Sequence, residues 1–218
     1  MNHMEILSFP AGPYQTNCYV VLSEESEGRR YASVIDPGLR AKELIDQYCE
    51  ENRVEVVQVL LTHGHIDHCR DAAALANGWG VALQIHRDDE FFLEKGNGMS
   101  EDSRLLFHAD AMNLPDSVSY LGDGDEVELG GQRFVVRHAP GHSPGCVLFV
   151  GKDFCFSGDV LFKGSIGRTD LAHSDSHAMA NSIKSVVLGL EDSLTILPGH
   201  GPATTMRAEK ASNPCLRV

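Results

Sequence analysis

Positive charge is scarce in this chain. Against 31 acidic residues stand 18 Lys and Arg, a formal net charge of −13. Phosphate contacts need clustered basic side chains, so nucleic acid is not expected as substrate or partner. No apolar run approaches the roughly 18 residues of a membrane span, and the N-terminus lacks a basic-then-apolar export pattern. The expectation is a cytoplasmic protein without membrane association. The six cysteines (Cys18, Cys49, Cys69, Cys146, Cys155 and Cys215) include no C-x-x-C pair and read as small core residues in a reducing compartment. Cys69 adjoins a candidate site, and it too is read as core. Linkers, low-complexity tracts and fixed-period repeats are also missing, so residues 1–218 are expected to form one domain with a sizeable core.

What is present is an alternation of short strands and helices. Met4 to Phe9, Cys18 to Leu22 and Tyr31 to Ile35 read as strands, the third closed by the turn Asp36-Pro37-Gly38. Leu44, Ile45, Tyr48 and Cys49 mark one face of a helix over residues 40–52. A buried strand from Val54 to Leu61 follows, then a helix over 69–77 and a strand from Val81 to Ile85. Residues 87–116 are polar and mixed, with two weak helical patterns around Gly96-Asn97-Gly98. They read as a surface excursion, with a lid over a site as the alternative. Strands with tight turns at Gly130-Gly131 and Gly151-Lys152-Asp153 come next. An amphipathic helix through Met179, Ile183, Val186, Val187 and Leu190 and a last strand, Leu194 to Leu197, complete the pattern. Strands in both hairpin and crossover contexts suggest an α+β arrangement of two packed sheets with helices outside.

The densest chemistry is Thr62-His63-Gly64-His65-Ile66-Asp67-His68. It places four potential ligands in six residues, a cost in desolvated imidazole and carboxylate that a cation would offset. Side chains 63, 65 and 67 are expected to leave the strand end with period two, His68 turning toward the next helix. Three further segments each set a polar residue beside a glycine at a strand end: Pro140-Gly141-His142, Ser157-Gly158-Asp159 and Pro198-Gly199-His200. Glycine there lets the backbone turn sharply and an ion approach. The seven residues divide into two sets, His63, His65 and His142 on one side and Asp67, His68 and His200 on the other. The two oxygens of Asp159 would serve both. Nitrogen-rich sets without cysteine suit two Zn²⁺ ions, with Fe²⁺ or Mn²⁺ as alternatives. Ions about 3.5–4 Å apart would trap a bridging water and bring its pKa near 7.

The order H-x-H-x-D-H, G-H, G-D, G-H resembles the metallo-β-lactamase superfamily over nearly the whole chain. The resemblance implies a four-layer αββα sandwich of two mixed sheets, with metals at one edge held by His63, His65, Asp67, His68, His142, Asp159 and His200. Asp159 stands where β-lactamases of the commonest class place cysteine, which argues against antibiotic hydrolysis. His65 stands where diiron flavoproteins carry glutamate. Pro140 to Gly145, Gly158 to Phe162, Gly167-Arg168-Thr169-Asp170 and Pro198 to Thr205 resemble the short glyoxalase II-like thioester hydrolases. About 18 residues follow His200, so the C-terminal helical glutathione-binding domain of the long enzymes is expected to be missing. Two aromatic contacts to the thiol carrier are absent as well, since Thr169-Asp170 and Gly201-Pro202 stand in their places.

The expected activity is therefore hydrolysis of a small-molecule thioester, S-lactoylglutathione or a related 2-hydroxyacyl thioester, by a metal-bridging hydroxide. Asp67 and Asp159 are the expected catalytic carboxylates. Arg168 and, less directly, Lys163 are candidates to hold a substrate carboxylate, although Arg168 has Asp170 nearby as a rival partner. The alternatives are a lactone hydrolase of the same superfamily, a mononuclear iron persulfide dioxygenase using His63, His142 and Asp159, and a metal-binding module without catalysis. His86, His108, His138, His173 and His177 are read as solvated or core residues, with His138 a candidate neighbour of the ligands. Asp123-Gly124-Asp125 reads as a turn.

Overall fold

The computed structural model describes residues 4–23 and 28–217. Two six-stranded sheets stack face to face. The first joins β1 (Glu5–Ala11), β2 (Thr16–Leu22), β3 (Arg30–Ile35), β4 (Val54–Leu60), β5 (Leu83–Ile85) and β6 (Val118–Tyr120) in chain order, antiparallel up to β3 and parallel beyond. The second uses β7 (Glu126–Leu129), β8 (Gln132–His138), β9 (Val147–Val150) and β10 (Phe154–Gly158), then β13 (Thr195–Pro198) and β14 (Thr204–Thr205). A small hairpin, β11 (Leu161–Phe162) with β12 (Ser165–Ile166), stands apart.

Period-two alternation builds the layers. On β2, Cys18, Val20 and Leu22 face one way, against Ile45, Cys49, Leu75 and Ala76 of helices α1 (Ala41–Asn52) and α3 (Ala72–Trp79). Tyr19 and Val21 face the other way, into an inter-sheet core with Phe134, Phe149 and Phe156. On the far side, Leu148, Cys155 and Ile196 pack beneath Met179 and Ile183 of α5 (Ser176–Ser185) and Met206 of α6 (Met206–Ser212). The result is helix, sheet, sheet, helix, as the family resemblance implies. No helix among the described residues is long and apolar enough to cross a membrane.

The structure differs from the sequence expectations at four points. The helix over 69–77 is two pieces, α2 (Ile66–Cys69) and α3, and α2 begins inside the ligand motif. The extended backbone of His65 caps it, its carbonyl accepting from the amides of His68 and Cys69. Only His63 and His65 therefore leave the strand extended, while Asp67 and His68 sit on a helical turn. The long amphipathic helix likewise stops at Ser185, followed by a single tight turn over Val187–Gly189. Residues 87–116 form no simple surface excursion. They carry a tight helical stretch over Arg87–Leu93 and α4 (Glu101–Leu106), and Asp89, Phe92, Leu93, Phe107 and Ala109 are buried.

Candidate metal centre

Every ligand-type side chain follows the C-terminal end of a strand. His63 and His65 follow β4, His142 follows β8, Asp159 follows β10 and His200 follows β13. The parallel pairing of β10 and β13 sets Gly158 opposite Pro198, and the Gly199 amide donates to the Gly158 carbonyl. Asp159 and His200 therefore emerge side by side. Gly199 must lack a Cβ, because one would collide with Asp159 Oδ1 and lie 2.6 Å from His68 Cε1.

All seven expected residues meet in one place. His63, His65 and His142 form one compact trio, Asp67, His68 and His200 a second, and Asp159 joins a third with His63 and His68. His65 Nδ1 lies 2.9 Å from His142 Nε2. Asp159 reaches both sides: Oδ2 is 3.4 Å from His142 Nε2 and 3.5 Å from His200 Nε2. His63 and His68 are wholly buried, whereas the His200 side chain is 28% exposed, so the site opens on the His200 side.

Outer partners aim the imidazoles. His142 Nδ1 and His200 Nδ1 face the carbonyls of Arg168 and Tyr14 at 2.9 and 3.1 Å. A carbonyl only accepts, so each ring donates from Nδ1 and turns a bare Nε2 inward when neutral. His68 Nδ1 lies 2.9 Å from Asp36 Oδ2, and His63 Nδ1 3.1 Å from Thr62 Oγ1. Asp36 also accepts from the Thr62 amide and hydroxyl, at 2.8 and 2.7 Å. Thr16 donates to Asp67 Oδ2 at 3.0 Å. Neither Asp36 nor Thr16 was legible as a site residue. The one signal was that Asp36, a non-glycine residue, occupies a turn, and its φ is +53°.

The electrostatics match a cation nest. Burial pushes the Asp67 carboxyl up, but His68 and His200 beside it hold it well below the usual carboxylate range. Burial likewise opposes the charge of Asp159, and His68, His142 and His200 prevail in keeping it low. Burial and neighbouring imidazoles lower His63, and burial and His142 bring His65 down to about 3. Burial disfavours a charge on His68, yet Asp67, Asp159 and Asp36 raise it. Three buried side-chain atoms among the described residues have no hydrogen-bond partner: His63 Nε2, His68 Nε2 and Asp159 Oδ1. They belong to one trio whose ligand atoms lie within 4.8 Å of one another. The 3.3 Å between His68 Nε2 and Asp159 Oδ1 is not aligned as a hydrogen bond. Two imidazole nitrogens and a carboxylate oxygen left without partners at one point are what a divalent cation would satisfy on displacing the His68 proton, so the residues fit a metal.

Arg168 forms a two-pronged ion pair with Asp170 at 2.7 and 2.8 Å, and its carbonyl serves His142. Lys163 is exposed on the turn between β11 and β12. Cys69 is buried and its thiol donates to the Gly64 carbonyl at 3.2 Å, which supports the core reading. His138 stacks on His86, with ring planes 8° apart and centroids 4.1 Å apart. Asp88 lies close to both, but stacked rings point their lone pairs along parallel planes, a poor arrangement for sharing an ion.

Residues 11–200 match the profile described as the Metallo-beta-lactamase superfamily. The chain is 36% identical to a Haemophilus influenzae protein named hydroxyacylglutathione hydrolase GloC, over 98% of each chain. It superposes with a TM-score of 0.83 on the crystal structure of BLEG-1 B3 metallo-beta-lactamase, 31% identical and covering 98% of this chain and 100% of that one. With TTHA1623 in a di-iron-bound form the TM-score is 0.76 and the identity 33%, over 95% and 98% of the two chains.

Proposed function

The chain belongs to the metallo-β-lactamase superfamily, and from that premise we propose that it is a metal-dependent hydrolase cleaving a thioester, S-lactoylglutathione or a related 2-hydroxyacyl thioester. The observation that carries this reading is the convergence of two three-residue ligand sets on Asp159. The relative named hydroxyacylglutathione hydrolase supports the substrate class. His63, His65 and His142 would hold one divalent cation, Asp67, His68 and His200 the other, with Asp159 between them. Zinc suits these nitrogen-rich sets; the relative in a di-iron-bound form makes iron the alternative. Bound there, the cations supply Lewis acidity and lower the pKa of water toward neutrality.

The chain's own groups do the rest. Asp67, held ionised by His68 and His200 and anchored by Thr16, orients the attacking water by accepting its hydrogen bond. Asp159 spans the two sets and fixes their separation. Water adds to the acyl carbon, the C–S bond breaks, and the products are a carboxylate, a thiol and one proton. A thiol of pKa about 8.5 departs as thiolate without a dedicated acid. Substrate enters past His200, with Lys163 and Arg168 as candidates for its carboxylate; at Arg168 it must displace Asp170.

Metal-loaded protein is tested with S-D-lactoylglutathione and a thiol reagent, and release of glutathione is expected. No release means the substrate assignment is wrong. A second reading comes from the similar B3 metallo-beta-lactamase: turnover of a chromogenic cephalosporin without thioester cleavage would place β-lactam hydrolysis first.

A further inference from the structure

Asp89 belongs to no ligand motif, yet it lies fully buried where two of them meet. Its Oδ2 accepts from the Gly64 amide at 2.8 Å and from the Ser143 hydroxyl at 2.5 Å. Its Oδ1 accepts from the Gly145 amide at 2.5 Å. Gly64 sits between His63 and His65, and Ser143 follows His142. One carboxylate thus ties the loop carrying two imidazoles to the loop carrying the third.

The approach leaves no slack. A Cβ on Gly145 would come 2.7 Å from Asp89 Cγ, and one on Gly64 would come 2.7 Å from the Asp89 carbonyl oxygen. Both glycines are required by this crossing, which lies behind the ligands. The turn presenting Asp89 is itself held in shape: His86 caps it, its Nδ1 accepting from the Asp88 amide at 3.2 Å. Three residues on, Phe92 sets its ring edge-on against His65, centroids 5.0 Å apart. A carboxylate buried this deeply is costly unless its lone pairs are used. Here all three donors come from the two ligand loops.

We propose that Asp89 is a positioning residue that sets the distance of His142 from His63 and His65, and so governs cation affinity at the three-histidine set without touching the ion. The inference rests on the metal reading above. Asp89→Asn keeps the side-chain size but replaces one acceptor by an NH2 group. In either orientation that group faces a backbone N–H, so the clamp loses its bond to Gly64 or its bond to Gly145 and is weakened at one loop.

The test titrates metal-free protein with Zn²⁺ against a chromophoric chelator and, separately, follows amide hydrogen exchange without metal. Wild type is expected to take up two equivalents. Asp89→Asn is expected to bind one equivalent normally and the other about 10- to 100-fold more weakly, the usual cost of losing an outer partner. Amides of residues 62–66 and 141–147 should exchange faster together, with β1 and β2 unchanged. Ser143→Ala removes one donor of the three; it should give a smaller loss at the same equivalent, and it decides the matter if the Asn variant does not fold. Unaltered affinities and exchange overturn the proposal, and so does equal weakening of both equivalents with faster exchange throughout. If wild type binds no metal, the metal reading has failed instead, and coordinated exchange in the two loops still decides whether Asp89 joins them.

Discussion

His68 Nδ1 lies 2.9 Å from Asp36 Oδ2, both side chains essentially buried, and the opposite ring nitrogen, without a hydrogen-bond partner, lies 3.3 Å from Asp159 Oδ1. Asp36 thereby decides which nitrogen of His68 faces a cation. Asp36→Asn keeps the shape, and asparagine tolerates the left-handed backbone there. The amide cannot accept from His68 Nδ1, the Thr62 hydroxyl and the Thr62 amide together. Metal affinity, measured by chelator competition, should fall about 10- to 100-fold, and the unmet buried donor should lower the melting temperature by several degrees.

His63→Ala and Asp159→Ala should each abolish turnover and lower bound metal, read by elemental analysis of the purified proteins. His63 belongs to the three-histidine set and Asp159 reaches both sets. Alanine at 159 should therefore cost both equivalents, while alanine at 63 should cost chiefly one. Full activity in both variants would sink the paired-ion scheme.

Gly199→Ala offers a steric test. The added methyl would meet Asp159 Oδ1 and the His68 ring, so activity should drop by orders of magnitude while circular dichroism stays native. Gly189 meets nothing at its Cβ position, and alanine there should be silent in the same assay.

Acid should destabilise the metal-free protein through His65. Its ordinary value is 6.5 and burial with His142 brings it to about 3. Between those values the unfolded chain takes up a proton that the folded chain refuses. The stabilisation is complete above about pH 6.5 and is lost progressively as pH falls toward 3, a few kcal/mol at most. Urea midpoints from pH 7 to 4 should fall less steeply for His65→Asn than for wild type. Equal slopes would assign the acid sensitivity elsewhere.

Much of this architecture is written locally. Alternation on β2 and β3 separates a helix-facing from a sheet-facing side, and glycines beside His142, Asp159 and His200 mark the strand ends that carry ligands. Helical boundaries were less legible, because α2 begins at Ile66 on the authority of the His65 carbonyl, a tertiary detail with no composition of its own. Asp36 hides behind a good turn signal, Asp-Pro-Gly, which accounts for the backbone and is silent about the carboxylate. Asp89 sits in Arg87-Asp88-Asp89-Glu90, a charged run that reads as solvated. One member turns inward because two glycine loops, 25 and 56 residues away along the chain, close over it.

The segment after β4 of the first sheet, with the helical turn α2, furnishes His63, His65, Asp67 and His68, and the strand ends of the second sheet furnish His142, Asp159 and His200. Neither half of the polypeptide owns a whole nest. Cut between β6 and β7, the chain would yield two fragments, each with an incomplete grip on an ion. Uptake of metal on mixing them would then report the instant at which the two faces lock, which makes the centre a gauge of assembly as well as a place for chemistry.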